Sequence, residues 1–228
     1  RYTKILVEMN DPVNRISPPQ PSLLIIRNPA AGRGRRRGFF RDVESALRRA
    51  GCRVETRDTA GPGAAEYMAR AARHDGYDAV VIAGGDGTIN EAVNGLAGGD
   101  MPLGIIPMGT ANVLAAELQL PADAAGIARV IAAGASAPVH LGQANGRHFI
   151  QMAGIGFDAY VVSRVTPRIK RWLGKGAYVL ESLQAFRSFA FHRYRLTIDG
   201  RTYDAASAVI ANGHYYGGRF TCAPAARL

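Results

Sequence analysis

Apolar and polar positions alternate in two styles along the 228-residue chain, and the style changes near Gly134. Before that point, short runs of consecutive apolar residues are separated by longer stretches with helical spacing. Leu23-Leu24-Ile25-Ile26 predicts a buried strand, and Phe39, Val43, Ala46 and Leu47 predict a helix over 38–50. The alternation continues with a strand at 52–56, a helix at about 63–74 and the β-branched run Ala79-Val80-Val81-Ile82. A helix at about 88–97, the strand Leu103-Gly104-Ile105-Ile106 and helices over roughly 110–119 and 123–133 complete it. Strands apolar on both faces, interleaved with helices, make a parallel sheet covered on both sides. Residues 22–134 are therefore expected to form an α/β domain.

After Gly134 the segments are short and alternating, at 137–142, 148–153, 193–199 and 205–211, with turn signals at Asn145-Gly146 and Asp199-Gly200. One helical stretch, about 174–190, interrupts them. Residues 135–228 are expected to form a mostly β, sandwich-like domain that stops after few strands and is C-terminally incomplete. Residues 1–21 read as an N-terminal extension closed by Ser17-Pro18-Pro19-Gln20-Pro21, in which Ile5-Leu6-Val7 fits a short strand or disorder equally. The chain begins with Arg1 and shows no charged-then-apolar leader, so a fragment without a signal peptide is expected. No window reaches the ~18 apolar residues of a transmembrane helix.

Composition narrows the classes. Two cysteines without CxxC spacing exclude a disulfide scaffold or zinc ribbon and suit a reducing cytoplasm. Five scattered histidines form no HxxxH or HxH pair for a metal. The net charge of +10 is uneven: residues 1–60 carry 13 basic and 6 acidic groups, 61–160 carry 4 and 9, and 161–228 carry 11 and 3. With 8% aromatic residues and no basic face rich in aromatics, nucleic acid is not the expected partner. Phosphates and an anionic membrane surface suit the pattern better.

Three loops follow predicted parallel strands and open helices, which places them at the ligand-binding edge of such a sheet. In Gly84-Gly85-Asp86-Gly87-Thr88, the glycines let a ligand approach the main chain, and the helix behind offers N–H groups to phosphate. Asp86 beside phosphates implies a bound Mg²⁺ or proton transfer. Thr88-Ile89-Asn90-Glu91 also reads as a capping box, with Thr88 as N-cap. In Pro107-Met108-Gly109-Thr110-Ala111-Asn112, Thr110 suits a helix cap or a phosphate contact. Asn28-Pro29-Ala30-Ala31-Gly32-Arg33-Gly34 is neither a dinucleotide fingerprint, since Arg37 replaces its third glycine, nor a Walker loop. The arginines 33, 35, 36 and 37 fit either phosphate neutralisation or a solvated helix start. Phosphoryl transfer, which rests on positioning and charge neutralisation, is the chemistry that fits.

Taken together and in this order, GGDGT at 84–88, NPAAG at 28–32 and PMGTAN at 107–112 resemble the diacylglycerol kinase catalytic-domain family, with its bacterial lipid kinases and sphingosine and ceramide kinase relatives. The similarity continues through Glu91, Asn94-Gly95, Gly154–Ala159, Gly217-Gly218 and Ala223-Pro224-x-Ala226. The resemblance implies ATP- and Mg²⁺-dependent phosphorylation of a lipid hydroxyl, by a nucleotide-binding α/β domain followed by a β-sandwich. It implies nucleotide contacts at Asn28, Pro29, Ala30, Ala31, Gly32, Thr59, Gly85, Asp86, Gly87, Thr88, Ile89, Asn90, Glu91 and Thr110. Asp86 would act beside the transferred phosphate, and Asp158 would face the lipid substrate; the metal ligands are left unassigned. Val113 and His140 depart from aspartates common in the family and bear on the head group accepted. Members continue past the Pro-x-Ala segment into strands bearing a proposed carboxylate base.

Between Asp158 and Glu181 lie Arg164, Arg168, Lys170, Arg171 and Lys175, with Trp172-Leu173 among them and no acidic residue. Near an anionic leaflet each such charge is worth about 1 kcal/mol, and Trp is an interfacial anchor. The expectation is a cytoplasmic enzyme peripheral to the inner membrane face, with a homodimer left open. Two alternatives stand beside it. One is an NAD-kinase-like or other soluble-substrate kinase using the GGDGT loop; the other is a catalytically incomplete nucleotide- or lipid-binding protein.

Overall fold

The computed structural model describes residues 2–7, 20–32, 35–164, 189 and 192–228, apart from the side chains of Arg35, Asp158 and Arg164. The helix expected at about 174–190 and the basic stretch around Trp172 lie outside these residues, save Phe189 and the backbone of Arg164. The core is a six-stranded sheet of β1 (Tyr2–Leu6), β2 (Ser22–Arg27), β3 (Arg53–Asp58), β4 (Ala79–Gly84), β5 (Leu103–Pro107) and β6 (Ser136–His140). Their order is β3-β2-β4-β5-β1-β6. All neighbours are parallel except β6, which runs antiparallel to β1. Thus Ile5-Leu6, left open by the local pattern, lie in a strand, and β1 and β6 extend the layer beyond residues 22–134.

The apolar runs divide by parity, as a two-faced strand must. Leu24, Ile26, Val80, Ile82, Leu103 and Ile105 point to the face covered by α2 (Ala64–Ala72) and α3 (Asp86–Leu96). Leu23, Ile25, Ala79, Val81, Ala83 and Ile106 point to the face covered by α1 (Arg35–Arg49) and α5 (Ala124–Ala133). Leu24, Ile25, Ile26 and Ile82 are wholly buried, and each such side chain contributes about 1.5–3 kcal/mol. α5 is bounded as its sequence dictates: the Asp123 carboxylate accepts the Gly126 N–H at 2.8 Å, and Gly134 ends the helix at φ 68°.

The connections place the site. From β2 the chain crosses through α1 to β3 on one face, whereas from β4 it crosses through α3 to β5 on the other. β2 and β4 are neighbours, so their carboxyl-end loops part to opposite faces and leave a crevice between them, the usual ligand position in such sheets.

Beyond the sheet, β7 (Gly142–Ala144) and β8 (Arg147–Phe149) form a hairpin whose turn, Asn145-Gly146, has φ 49° and 79° as a type I′ turn requires. Contacts divide the chain into two compact units, residues 1–151 with 212–228, and residues 152–211. Within the second, β9 (Met152–Gly156) pairs antiparallel with β12 (Ser207–Ala211). β10 (Tyr194–Ile198) and β11 (Arg201–Ala205) form a hairpin about Asp199-Gly200, and α6 spans Phe157–Arg164. The segment from Asn212 onward returns to the first unit, where β13 (Tyr215–Tyr216) pairs with β14 (Phe220–Thr221).

Candidate active site

Strand register brings the three glycine-bearing loops to one edge. Arg27 lies opposite both Asp58 and Ala83, and Gly84 lies opposite Pro107, so β2, β3, β4 and β5 end level with one another. Thr59 stands at this edge too, its N–H donating to Arg27 O at 2.8 Å.

The loops are fastened together by side chains and by close backbone approach. Asn28 spans the β2/β4 crevice: its N–H donates to Ala83 O at 2.9 Å and its Nδ2 to Thr88 Oγ1 at 2.9 Å. Its Oδ1 accepts the Ala30 N–H at 2.9 Å, which curls the loop back on itself. On the other side, Met108 N–H donates to Gly84 O at 2.8 Å. A Cβ on Gly109 would lie 2.7 Å from Gly85 Cα, so the two loops touch at a distance only glycine permits. Among the arginines near the start of α1, Arg36 reaches across, donating from Nη1 to Pro107 O at 2.6 Å. Pro29 and Ala30 are exposed at the loop tip, while Ala31 and Gly32 are half-buried.

The capping box expected at Thr88 does not form. α3 begins two residues earlier, at Asp86, with Gly85 as N-cap and no side chain capping it. Thr88 lies in the first turn and is engaged by Asn28, and Glu91 instead accepts the Ala65 N–H at 3.3 Å, in the first turn of α2. The first intrahelical bond of α3 runs from Ile89 N–H to Gly85 O. The N–H groups of Asp86, Gly87 and Thr88 precede it and carry the partial positive charge of a helix start, a cradle for an anion. Asp86 turns toward α4 (Val113–Glu117), where its Oδ1 accepts the Leu114 N–H at 3.3 Å. Thr110 is exposed and does not cap α4; that position falls to Asn112, in a left-handed conformation at φ 48°.

Besides Glu91, which faces α2, two residues in the set implied by the family motif point elsewhere. Ile89 is buried in the core. Asn90 grips the backbone of 148–150, accepting Ile150 N–H at 3.2 Å and donating to His148 O at 3.3 Å. Asn94 joins it, accepting His148 N–H and donating to His148 O, both at 2.9 Å. Asp158 lies in α6, with its side chain outside the described residues. Sequence reasoning did not single out Arg36 within its run, because its contact with Pro107 has no local motif behind it. Among the described residues no group of three or more His, Cys, Asp or Glu gathers to hold a metal ion by protein ligands alone. A single carboxylate beside an anion cradle suits Mg²⁺ that arrives with a nucleotide's phosphates.

The diacylglycerol kinase catalytic domain model matches residues 22–144, which hold all three loops. The chain belongs to this family. A second model, the YegS C-terminal NAD kinase beta sandwich-like domain, matches residues 151–228. A diacylglycerol kinase of Bacillus subtilis is 35% identical over 78% of this chain and 60% of its own length. One of Staphylococcus aureus is 33% identical over 83% of this chain and 61% of its own. A crystal structure from Bacillus anthracis, described provisionally as a diacylglycerol kinase, superposes with a TM-score of 0.74 at 29% identity, covering 93% of this chain and 72% of that one. The chain thus spans about three-fifths of the length of the curated diacylglycerol kinases it matches. Among the described residues no helix is long and apolar enough to cross a membrane.

Proposed function

We propose that the protein transfers the terminal phosphoryl group of ATP to the hydroxyl of a lipid, with diacylglycerol as the first candidate acceptor. One observation carries this reading: an uncapped helix start, Asp86 at its first position, with one loop laced to it across the β2/β4 crevice and another in contact from the β5 side. The N–H groups of Gly87 and Thr88 would receive phosphate oxygens, the Asn28–Gly32 loop and Thr110 would close over the nucleotide from either side, and Thr59 would border it. Mg²⁺, when bound with the nucleotide, would neutralise charge on the transferring group. Asp86 would stand beside that group as the catalytic carboxylate. Asp158 is retained as a candidate on the lipid side, and the basic stretch around Trp172 as a peripheral contact with anionic membrane.

The test is labelled-ATP phosphorylation of a lipid panel in mixed micelles, with NAD offered in parallel because the second matching domain is described as NAD-kinase-like. Labelled diacylglycerol from the wild-type chain, abolished in Asp86→Asn, is the expected result. Labelled NAD without labelled lipid would move the assignment to the soluble-substrate reading. ATP binding with no acceptor labelled would favour the catalytically incomplete one.

A further inference from the structure

A titratable cluster away from the phosphate edge joins α4 to the returning C-terminal segment. Glu117 ends α4, and its side chain is only 4% exposed. Its Oε1 accepts a hydrogen bond from His214 Nδ1, and its Oε2 accepts the Tyr215 N–H at 3.2 Å. Gly213 comes so near that a Cβ there would sit 2.9 Å from Glu117 Oε2. On the far side of the imidazole, Arg227 Nη1 lies 3.1 Å from His214 Nε2.

These partners fix the proton. Burial pushes the Glu117 carboxyl up, but the hydrogen bonds from His214 and Tyr215 outweigh it and hold the group below its ordinary value, hence ionised at neutral pH. An ionised carboxylate only accepts, so Nδ1 carries the hydrogen; a guanidinium only donates, so Nε2 is the acceptor. At the opposite end of the same short helix, the Leu114 N–H holds Asp86 Oδ1 at 3.3 Å.

We propose that Glu117 and His214 are positioning residues for Asp86, fastening the segment from Asn212 onward to one end of α4 so that the other end presents the Leu114 N–H to the Asp86 carboxylate. The role in catalysis rests on the reading of Asp86 given above; the mechanical coupling does not. The groups facing the His214 ring are Glu117 from α4, and Arg227 and the Tyr215 ring, at 6.1 Å between centroids, from the returning segment. A second proton on His214 sets Nε2–H against the guanidinium, donor against donor, while tightening the grip on Glu117. Arg227 then leaves, and α4 passes the change to Asp86.

The experiment is NMR of the ¹⁵N-labelled chain without nucleotide or lipid, titrated from about pH 8 to about pH 5.5, across the histidine range and above the carboxylate range. The expected result is an Nδ1–H tautomer of His214 at high pH, with the Leu114 and Asp86 amide signals moving at the same midpoint as the His214 ring. In His214→Gln that movement disappears. Gly213→Ala, which crowds Glu117 without altering any charge, displaces the same two signals at constant pH. A neutral His214 protonated on Nε2, or Leu114 and Asp86 signals that stay still while His214 titrates, would overturn the proposal. If His214→Gln does not fold, the wild-type titration alone decides. A negative phosphorylation assay would count against the proposed activity and leave this coupling untouched.

Discussion

Asn28→Ala is the most informative single perturbation, because this side chain holds the edge of the site closed from one side of the crevice. It removes two hydrogen bonds, Nδ2 to Thr88 Oγ1 and Ala30 N–H to Oδ1, both 2.9 Å. At about 0.5–1.5 kcal/mol each, the expected loss is about 1–3 kcal/mol. For a chain of this size each kcal/mol lowers the midpoint by about 2–4 °C, so a mid-range loss shows as about 4–8 °C in thermal unfolding. Combining Asn28→Ala with Thr88→Ala should recover about 1 kcal/mol of coupling, since the two side chains share one bond. Asn28→Asp separates the fold from the site. The carboxylate still accepts from Ala30, and the Thr88 hydroxyl turns to donate, so less stability is lost than with alanine. An added negative charge about 6 Å from a phosphate costs about 1–3 kcal/mol at an effective dielectric of about 20–40, or roughly 10–100-fold in ATP affinity. The assay is calorimetric ATP titration beside denaturant unfolding of the wild type, the three single variants (Asn28→Ala, Thr88→Ala and Asn28→Asp) and the double variant. An additive double mutant would refute the bridge, and unaltered ATP affinity in Asn28→Asp would refute phosphate at this edge.

Gly109→Ala drives a methyl to 2.7 Å from Gly85 Cα, so the loops must part, costing about 1–3 kcal/mol of stability; equal unfolding midpoints would refute the close approach. Asn94→Ala removes the acceptor of the His148 N–H and one of the two amide donors to its C=O, Asn90 remaining, and hydrogen exchange at His148 should quicken by about tenfold or more. The Glu66 carboxyl is held below its ordinary value chiefly by the Arg147 hydrogen bond at 2.7 Å, with Arg70 assisting. Its contribution is therefore present above the ordinary carboxylate range and lost as pH falls through the lowered folded value. The stability gap between wild type and Glu66→Gln should accordingly be small, under about 1 kcal/mol for a pair with an exposed arginine, and should close in acid. A gap that widens in acid would show the pair to be unfavourable.

How far the local pattern reveals the fold depends on how many neighbours each signal needs. Val80, Val81 and Ile82 are buried whichever way they point, so a run of β-branched residues announces β4 without reference to the rest of the chain. Asn145-Gly146 and Asp199-Gly200 are equally self-sufficient, since their left-handed backbone is a property of the dipeptide. β1 is not, because its partners Leu103 and Ala137 are distant in sequence. The pattern Thr88-x-x-Glu91 illustrates a sharper limit. Its spacing fits an N-cap at Thr88 and equally a helix begun at Asp86, and the decision falls to Asn28, 60 residues away. Glu117 and His214, 97 residues apart, leave no trace in any motif, whereas the three glycine loops are legible because each carries its own turn chemistry.

The location of the site follows from chain direction more than from any of its side chains. Crossovers between parallel strands are right-handed, so a chain that leaves β2 toward one sheet edge and β4 toward the other must send α1 and α3 to opposite faces. The crevice between the two loops is then unavoidable, and it opens where helix starts gather unpaired N–H groups. What the residues add is restraint. Asn28 ties one lip of the crevice to the other, Gly85 and Gly109 let the neighbouring loop close to contact, and Leu114 holds Asp86 from the side of α4. Substitutions that loosen these ties should therefore weaken binding of the phosphates before they weaken the sheet. Substitutions inside β2 or β4 should do the reverse, lowering stability with ATP affinity retained by the fraction that remains folded.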